Sequence, residues 1–375
     1  LANTLSALAP TLFSAAKEVA NEPVAVIQAI DSRFDNKGVA KGDTVTVPVA
    51  PVRVLSDFTP NNTTSSGDDA VATSVGVQIT AAKKVSWNLS GEQQRSLENG
   101  TISMDWVSQL VKQGMRALRN QAEIDAWTAV VSGASRAYGT AGTAPFASDL
   151  SALTNMRKIL QDNGAPLSDL YFVGNTAAGL NLRNLGIIQQ AYAAGSDAER
   201  RSGVFQRQFG FVMEESAGVG LHTAGTGSGY LVSSGPLAVG TTVITCGTGT
   251  GTILVGDVVS FAGDTNKYVV TGALSAGSFT IGKPGLQVAA SNGAAITVTA
   301  NYTANIAMER SAVVGIMRPP LIPANPTIQQ MPISDPFGMS YLMLDIAQYG
   351  QRSWELHLAW GFKSVNGEFS AIAIG

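Results

Sequence analysis

The sequence predicts an α+β fold whose mixed body carries an inserted small β-barrel domain. Three observations predict it. Helical and two-residue periodicities follow one another along most of the chain. Between residues 225 and 300, short strands and turns replace them, and Lys and Arg almost vanish. Charged residues make up only 14% of the 375, against about 25% in an average soluble domain. A globule of this size standing alone normally shows more charge. Self-association is the simplest cover for such a surface.

Residues 1–38 read as an arm. Leu5, Leu8, Leu12 and Val19 fall at helical spacing, while Lys17 and Glu18 face elsewhere. Pro10 and Pro23 should break the arm into short helical pieces. It has little to pack against in its own chain, so Leu5, Leu8 and Phe13 are candidate contacts to a neighbouring copy.

Residues 39–86 read as a long hairpin. Val45, Val47 and Val49 alternate with Thr44, Thr46 and Pro48, and Val71, Thr73, Val75, Val77 and Ile79 line one face of the return strand. Pro48 and Pro51 cannot donate ladder hydrogen bonds, which makes their strand an edge. The stretch from Thr59 to Asp69 is a polar tip. Strands of this length reach roughly 40 Å, and a two-stranded ribbon that long is marginal alone. Val45, Val47, Phe58, Val75 and Val77 are therefore further candidate contacts to a neighbour.

The spacing predicts the longest helix over 101–131, about 46 Å at 1.5 Å per residue. Thr101 and Ser103 can cap it. Ile102, Trp106, Leu110, Val111, Leu118, Ala122 and Ala126 form its apolar stripe, with Arg116, Arg119, Gln121, Glu123 and Asp125 as polar flanks. A helix over 149–162 closes at Asn163-Gly164, a buried strand covers Leu170–Val173, and Asn175-Thr176 opens another helix. The inserted segment should hold strands at 242–246, 258–261, 267–271, 278–281 and 295–299. Near the end, Trp354, Leu356, Leu358, Trp360 and Phe362 alternate with polar or small residues. A second strand over 369–374 follows the turn signal Asn366-Gly367.

The chain is poor in catalytic patterns. It has two histidines, His222 and His357, and one cysteine, Cys246. The His/Cys spacings of a zinc site and a G-x-S-x-G elbow are both missing from the sequence. The glycine runs at 225–229 and 247–251 lack the Lys-Ser/Thr ending of a phosphate loop and read as turns. Asp68-Asp69 and Glu214-Glu215 read as solvated acid pairs. No cofactor, metal site or catalytic residue is expected, and Cys246 is expected to be a core thiol. The start, Leu1–Ala9, does not read as a signal peptide, and no membrane partner is expected. A net charge of −3 does not suit a protein that grips phosphates. Arg200, Arg201 and Arg207 make the one local basic cluster, read either as a solvated loop or as an intersubunit salt-bridge loop.

The arm, hairpin, long helix, mixed body, inserted β-domain and aromatic final strands, in that order, resemble the major capsid (coat) proteins of tailed double-stranded DNA phages. More narrowly they resemble the podovirus coat proteins that carry an insertion domain. Local echoes are Leu170-Tyr-Phe-Val-Gly-Asn175, Phe205-Gln-Arg-Gln-Phe-Gly210, Gly256-Asp-Val-Val-Ser-Phe-Ala-Gly263, Pro319-Pro-Leu-Ile-Pro-Ala-Asn325 and Leu358-Ala-Trp-Gly361. The resemblance implies an N-terminal arm at 1–38 and an extended loop at 39–86. It implies a peripheral domain at 87–175 and 350–375 with 101–131 as its spine helix. An axial domain at 176–224 and 301–349 and an insertion domain at 225–300, shorter than usual for the group, complete it. It implies a structural role, with homo-oligomeric pentamers and hexamers forming an icosahedral shell in the virion. A separate scaffolding protein, a portal protein at one vertex, assembly in the host cytoplasm and enclosure of DNA without sequence-specific binding come with it. The alternatives are a bacterial nanocompartment shell of the same fold and a β-rich virion decoration or adhesin protein.

Overall fold

A computed structural model describes residues 5–20, 24–34, 40–49, 73–99, 104–186, 207–323, 325–334 and 339–375. The chain opens with α1 (Leu5–Ala20), α2 (Ala25–Ala29) and β1 (Asp31–Phe34). Contrary to expectation, Pro10 does not break α1. It sits in the second turn, where its missing N–H removes a single bond near an end whose first donors have no helical partner anyway. The stripe after it, Leu12, Ala15, Ala16 and Val19, is fully buried. That stripe joins the main core of its own chain, so the expectation of an arm without an internal partner is corrected.

A two-stranded ribbon follows, β2 (Thr44–Val49) against β3 (Thr73–Gln78), with Val45 opposite Val77 and Val47 opposite Val75. The expected hairpin ran to residue 86; the ribbon ends at Gln78. The next residues turn into β4 (Ala81–Ser90), which belongs to another sheet. Then come α3 (Gly91–Glu98) and the long α4 (Met104–Gly133). The proposed caps Thr101 and Ser103 lie outside the described residues. β5 (Arg136–Gly139), α5 (Ser151–Asp162), β6 (Leu170–Gly174) and α6 (Thr176–Asn184) continue the body. Asn175 caps α6 as expected, its side chain accepting from the Ala178 N–H at 2.8 Å. β7 (Arg207–Gln208), β8 (Phe211–Glu215) and β9 (Leu221–His222) lead into the β-rich segment.

That segment holds β10 (Leu231–Val232), β11 (Val243–Gly247), β12 (Val258–Phe261), β13 (Lys267–Ser275), β14 (Ser278–Ile281) and β15 (Ile296–Val298). They enclose a core of their own that includes Ile244, Val259, Phe261, Tyr268 and Phe279. The body resumes with β16 (Tyr302–Glu309), β17 (Val313–Arg318), β18 (Ile328–Ser334), β19 (Ser340–Gln348), β20 (Gln351–Ser364) and β21 (Ser370–Ile374).

Two sheets organise the whole. One runs β1-β17-β20-β19-β18, with β4 also on β20. The other runs β10-β11-β14-β13-β5-β21-β16-β6-β8-β7. β20 is the centre of the first, flanked by β4 along 351–360 and by β19 and β17 on its other edge. Its alternation buries Trp354, Leu356, Leu358 and Trp360. Gly361 on β20 is obligatory, since a Cβ there would lie 2.0 Å from the Gln78 carbonyl oxygen. The expected hairpin between the last two strands does not form. The turn at 366–369 carries the chain from the first sheet to the second, where β21 pairs with β16 and β5.

α4 lies in the main core between the N-terminal helices and both sheets, burying Val107, Val111, Met115, Leu118, Ala122, Ala126 and Val130. Trp106, expected in this stripe, is instead 42% exposed. Arg119 and Glu123, expected on polar flanks, are buried. The reason is that α4 is covered on a second side. Arg119 Nη1 donates to the Val19 carbonyl oxygen at the end of α1. The Glu123 carboxylate accepts the Val26 N–H at 2.9 Å and the Ile27 N–H at 3.2 Å, in the first turn of α2. It also accepts the Ser216 hydroxyl at 3.0 Å. Lys112 reaches Glu18 of α1 at 2.5 Å. Burial pushes the Glu123 carboxyl above its ordinary value, against the opposing pull of these hydrogen bonds and of Arg119.

Replacing Glu123 by Ala should strand two α2 amides and cost about 3 kcal/mol. Glu123→Gln, which keeps one acceptor oxygen, should cost less. The raised pKa also sets a sign. The folded chain holds the Glu123 proton to higher pH than the unfolded chain. Its contribution is therefore full below the unfolded value and shrinks as pH rises through the folded one. Denaturant titrations of wild type and Glu123→Gln should show the wild-type advantage narrowing as pH climbs from about 4.5. An advantage that widens over that range contradicts this assignment.

Candidate functional site

Among the described residues, no group of three His, Cys, Asp or Glu side chains lies close enough to hold a metal. The ionisable groups that do come together are used as internal braces. The tightest is Asp257, fully buried just before β12 of the β-rich segment. Its Oδ1 lies 2.8 Å from His222 Nε2. The Gly225 N–H donates to both its oxygens at 3.1 Å, and the Leu254 N–H donates at 2.7 Å. His222 is tilted on Tyr302, with ring centroids 5.2 Å apart. The Tyr302 hydroxyl donates to the Gly256 carbonyl at 2.5 Å, and burial followed by the Asp257 charge pushes its pKa upward. The result is a lock where β9 and β16 of the body meet the 254–257 turn.

The two glycine runs meet beside it. Ser228 bridges Thr250, and a Cβ on Gly225 would lie 2.3 Å from the Thr252 carbonyl oxygen. These glycines allow close backbone approach, which agrees with the turn reading. His357 lies on the first sheet with Glu355 at 2.9 Å, and Glu355 is also held by Lys84 at 2.7 Å. Of the Glu214-Glu215 pair, Glu215 is bound to Arg183 at 2.5 Å. Glu214 is raised by burial and then by the charge of Glu123. Cys246 is buried, which pushes its thiol up.

The candidate contact residues divide into four groups. Phe13 is 59% exposed on α1, and Arg207 is exposed on β7. Val45 and Val75 are half-buried on the ribbon. Val47 and Val77 are buried against Ile79, Val314, Ile316 and Ala359 of the same chain. They are a correction, because the base of the ribbon is seated on β17 and β20 and has no free apolar face there. Leu5 and Leu8 fall in α1, but their side chains, like Phe58, Arg200 and Arg201, lie outside what is described. Asp257 falls within the Gly256–Gly263 echo, but nothing local gives it a role, since its partners come from residues 222, 225 and 254. Arg119 and Glu123 carried a signal: their four-residue spacing places them beside Met115, Ala122 and Ala126.

No family model matches the chain, and no curated protein matches it in sequence. Solved structures similar to it include a chain from Mycobacterium phage Che8, at 13% identity, 89% of this chain, 85% of that chain and a TM-score of 0.47. A chain from the capsid of cyanophage P-SCSP1u is similar at 11% identity over 92% and 86% of the two chains, with a TM-score of 0.49. A chain of a virus-like particle from Pyrococcus furiosus is similar at 8% identity over 96% and 97%, with a TM-score of 0.45.

Asp257→Ala should leave the Gly225 and Leu254 amides and His222 without their acceptor, at a cost of about 3 kcal/mol. Hydrogen exchange of the full chain should then quicken at residues 220–227 and 252–258 before α4 is affected. Unchanged protection at both stretches contradicts the lock.

Proposed function

We propose that this chain is a structural subunit of a tailed-phage capsid, assembling as pentamers and hexamers into an icosahedral shell that encloses double-stranded DNA. The observation that carries this reading is the distribution of exposed large apolar side chains on a chain so poor in charge. Phe13 on α1, Leu180 on α6, Leu221 on β9, Val239 in the β-rich segment, Leu321 and Tyr349 are all exposed, while charged residues are 14% of the sequence. Among the described residues they fall on the N-terminal helix, the body and the β-rich segment alike. A dimer needs one self-complementary face; a closed shell needs several faces contacted at once.

The parts take roles accordingly. Residues 87–175 and 350–375, built on α4 and β20, are the rigid peripheral unit. Residues 176–224 and 301–349 form the axial unit that meets neighbours around symmetry axes. The segment 225–300, with its own core, is an inserted domain braced to the body through Asp257. The ribbon base is seated on β17 and β20, and residues 39–86 take the role of the extended loop that lies on a neighbour. A scaffolding protein during assembly, a portal protein at one vertex and assembly in the host cytoplasm go with this reading. The role is structural rather than enzymatic: Glu123, Asp257 and Glu215 are each engaged in internal bonds.

Deleting residues 57–70 should leave a folded monomer, because Val47, Val77 and Ile79 keep their seat. Negative-stain microscopy should then show no closed shells. Normal shells from the deletion contradict the role given to the ribbon. Nuclease-protected DNA in particles from infected cells supports the capsid reading; particles filled with protein cargo instead assign the chain to a nanocompartment.

A further inference from the structure

A cavity of 390 Å³ opens where the N-terminal segment meets the body, between α2, β1, β6, β8 and the end of β16. Small-molecule sites have volumes of roughly 300–1,000 Å³. Ile27, Val212 and Met339 give this one an apolar wall. Facing the same space are polar groups that the described residues leave unused. Arg310 Nε donates to the Ile30 carbonyl oxygen at 3.4 Å, and its guanidinium carbon lies 5.9 Å from the centre of the Tyr171 ring. Its two Nη groups find no acceptor among the described residues. The Tyr171 hydroxyl, the Gln28 amide and the Glu214 carboxylate, all on half-buried residues, make no hydrogen bond there either. Half-buried polar groups of this kind normally have partners.

Two of these groups carry opposite charges, yet Arg310 and Glu214 form no ion pair with each other. Strand register keeps them apart. Tyr171 stands beside Val212, and Glu214 stands beside Val173. Glu214 is thus one strand across and two residues on from Tyr171, roughly 8 Å away. Arg119 also lines the cavity, but it is engaged with the Val19 carbonyl oxygen and with the charge of Glu123. Burial, then the Glu123 charge, pushes Glu214 above its ordinary value, so this end of the cavity favours a cation. The open fork of Arg310 suits a carboxylate at the other end.

We propose that this cavity binds a small linear zwitterion, an ω-amino acid in chemical class, with its carboxylate on Arg310 and Tyr171, its ammonium on Glu214 and its methylene chain along the apolar wall. The ammonium and carboxylate of an α-amino acid sit too close together to reach both ends. A ligand held this way ties α2 and β1 to β8 and tightens the docking of the N-terminal segment. The inference is independent of the capsid reading. A chain that binds the zwitterion and never assembles upholds the first and overturns the second.

The test is calorimetric titration of the full chain with γ-aminobutyrate, δ-aminovalerate and ε-aminocaproate, set against butyrate and butylamine, which carry one charge each. At least one zwitterion should bind about tenfold tighter than either single-charge compound. Glu214→Gln and Arg310→Gln should each weaken that binding about tenfold. Tyr171→Phe, which keeps the ring under Arg310, should weaken it less. Hydrogen exchange at residues 24–32 should slow when the zwitterion binds. Melting curves without ligand check that the variants fold, and where a charge variant melts early, Tyr171→Phe carries the test. Zwitterions that bind no tighter than the single-charge compounds overturn the proposal, as does binding that all three variants leave unchanged.

Discussion

The buried carboxylate of Glu123 is the interaction on which the body depends. It sits on the longest helix and caps the first turn of α2 from across 97 residues of sequence. The same group holds Ser216, the residue after β8. A charge in such a place is costly unless every lone pair is used. Here the two amides and the hydroxyl use them, and the charge of the neighbouring Arg119 adds a favourable field. The N-terminal segment is therefore docked by specified polar contacts laid over an apolar stripe, and the stripe alone would not fix its register. Lys112 and Arg119 extend the same logic to α1.

From that anchor the rest follows by layers. α4 closes one side of the sheet centred on β20, where Trp360 Nε1 donates to Asp125 at 2.7 Å. Trp87 on the neighbouring β4 faces Gly114, where a Cβ would lie 2.6 Å from its ring. The second sheet then carries the body outward through β5 into the β-rich segment, and Asp257 locks that junction. What is left over is informative. The Phe209 turn and the α6–β8 cavity are not consumed by the packing of the described residues.

Much of this was legible in the sequence, and the rest was hidden for identifiable reasons. The Asn175 cap, the long helix, the strand over 354–362 and the strands of the inserted segment all declare themselves through local periodicity or capping. Partner choice does not. Asn366-Gly367 gives a correct turn, yet β21 crosses to the other sheet because its pairing is decided by β16 and β5, far away in sequence. The ribbon's end at Gln78 depends on β4 finding β20. Pro10 was overestimated as a breaker because its position in the second turn, and the buried stripe after it, reduce its cost. Arg119 and Glu123 read as flanks because they are charged, and their spacing beside Met115, Ala122 and Ala126 is the one local sign that α4 is covered on two sides. The role of Asp257 exists only once three separated backbone and side-chain partners converge on it.

Sedimentation velocity and electron microscopy of the full chain, over a range of concentrations and in crowded buffer, test the central claim most directly. The account predicts cooperative appearance of rings and closed shells above a threshold concentration, with little between monomer and particle. A chain that remains a 38.8 kDa monomer throughout that range contradicts it.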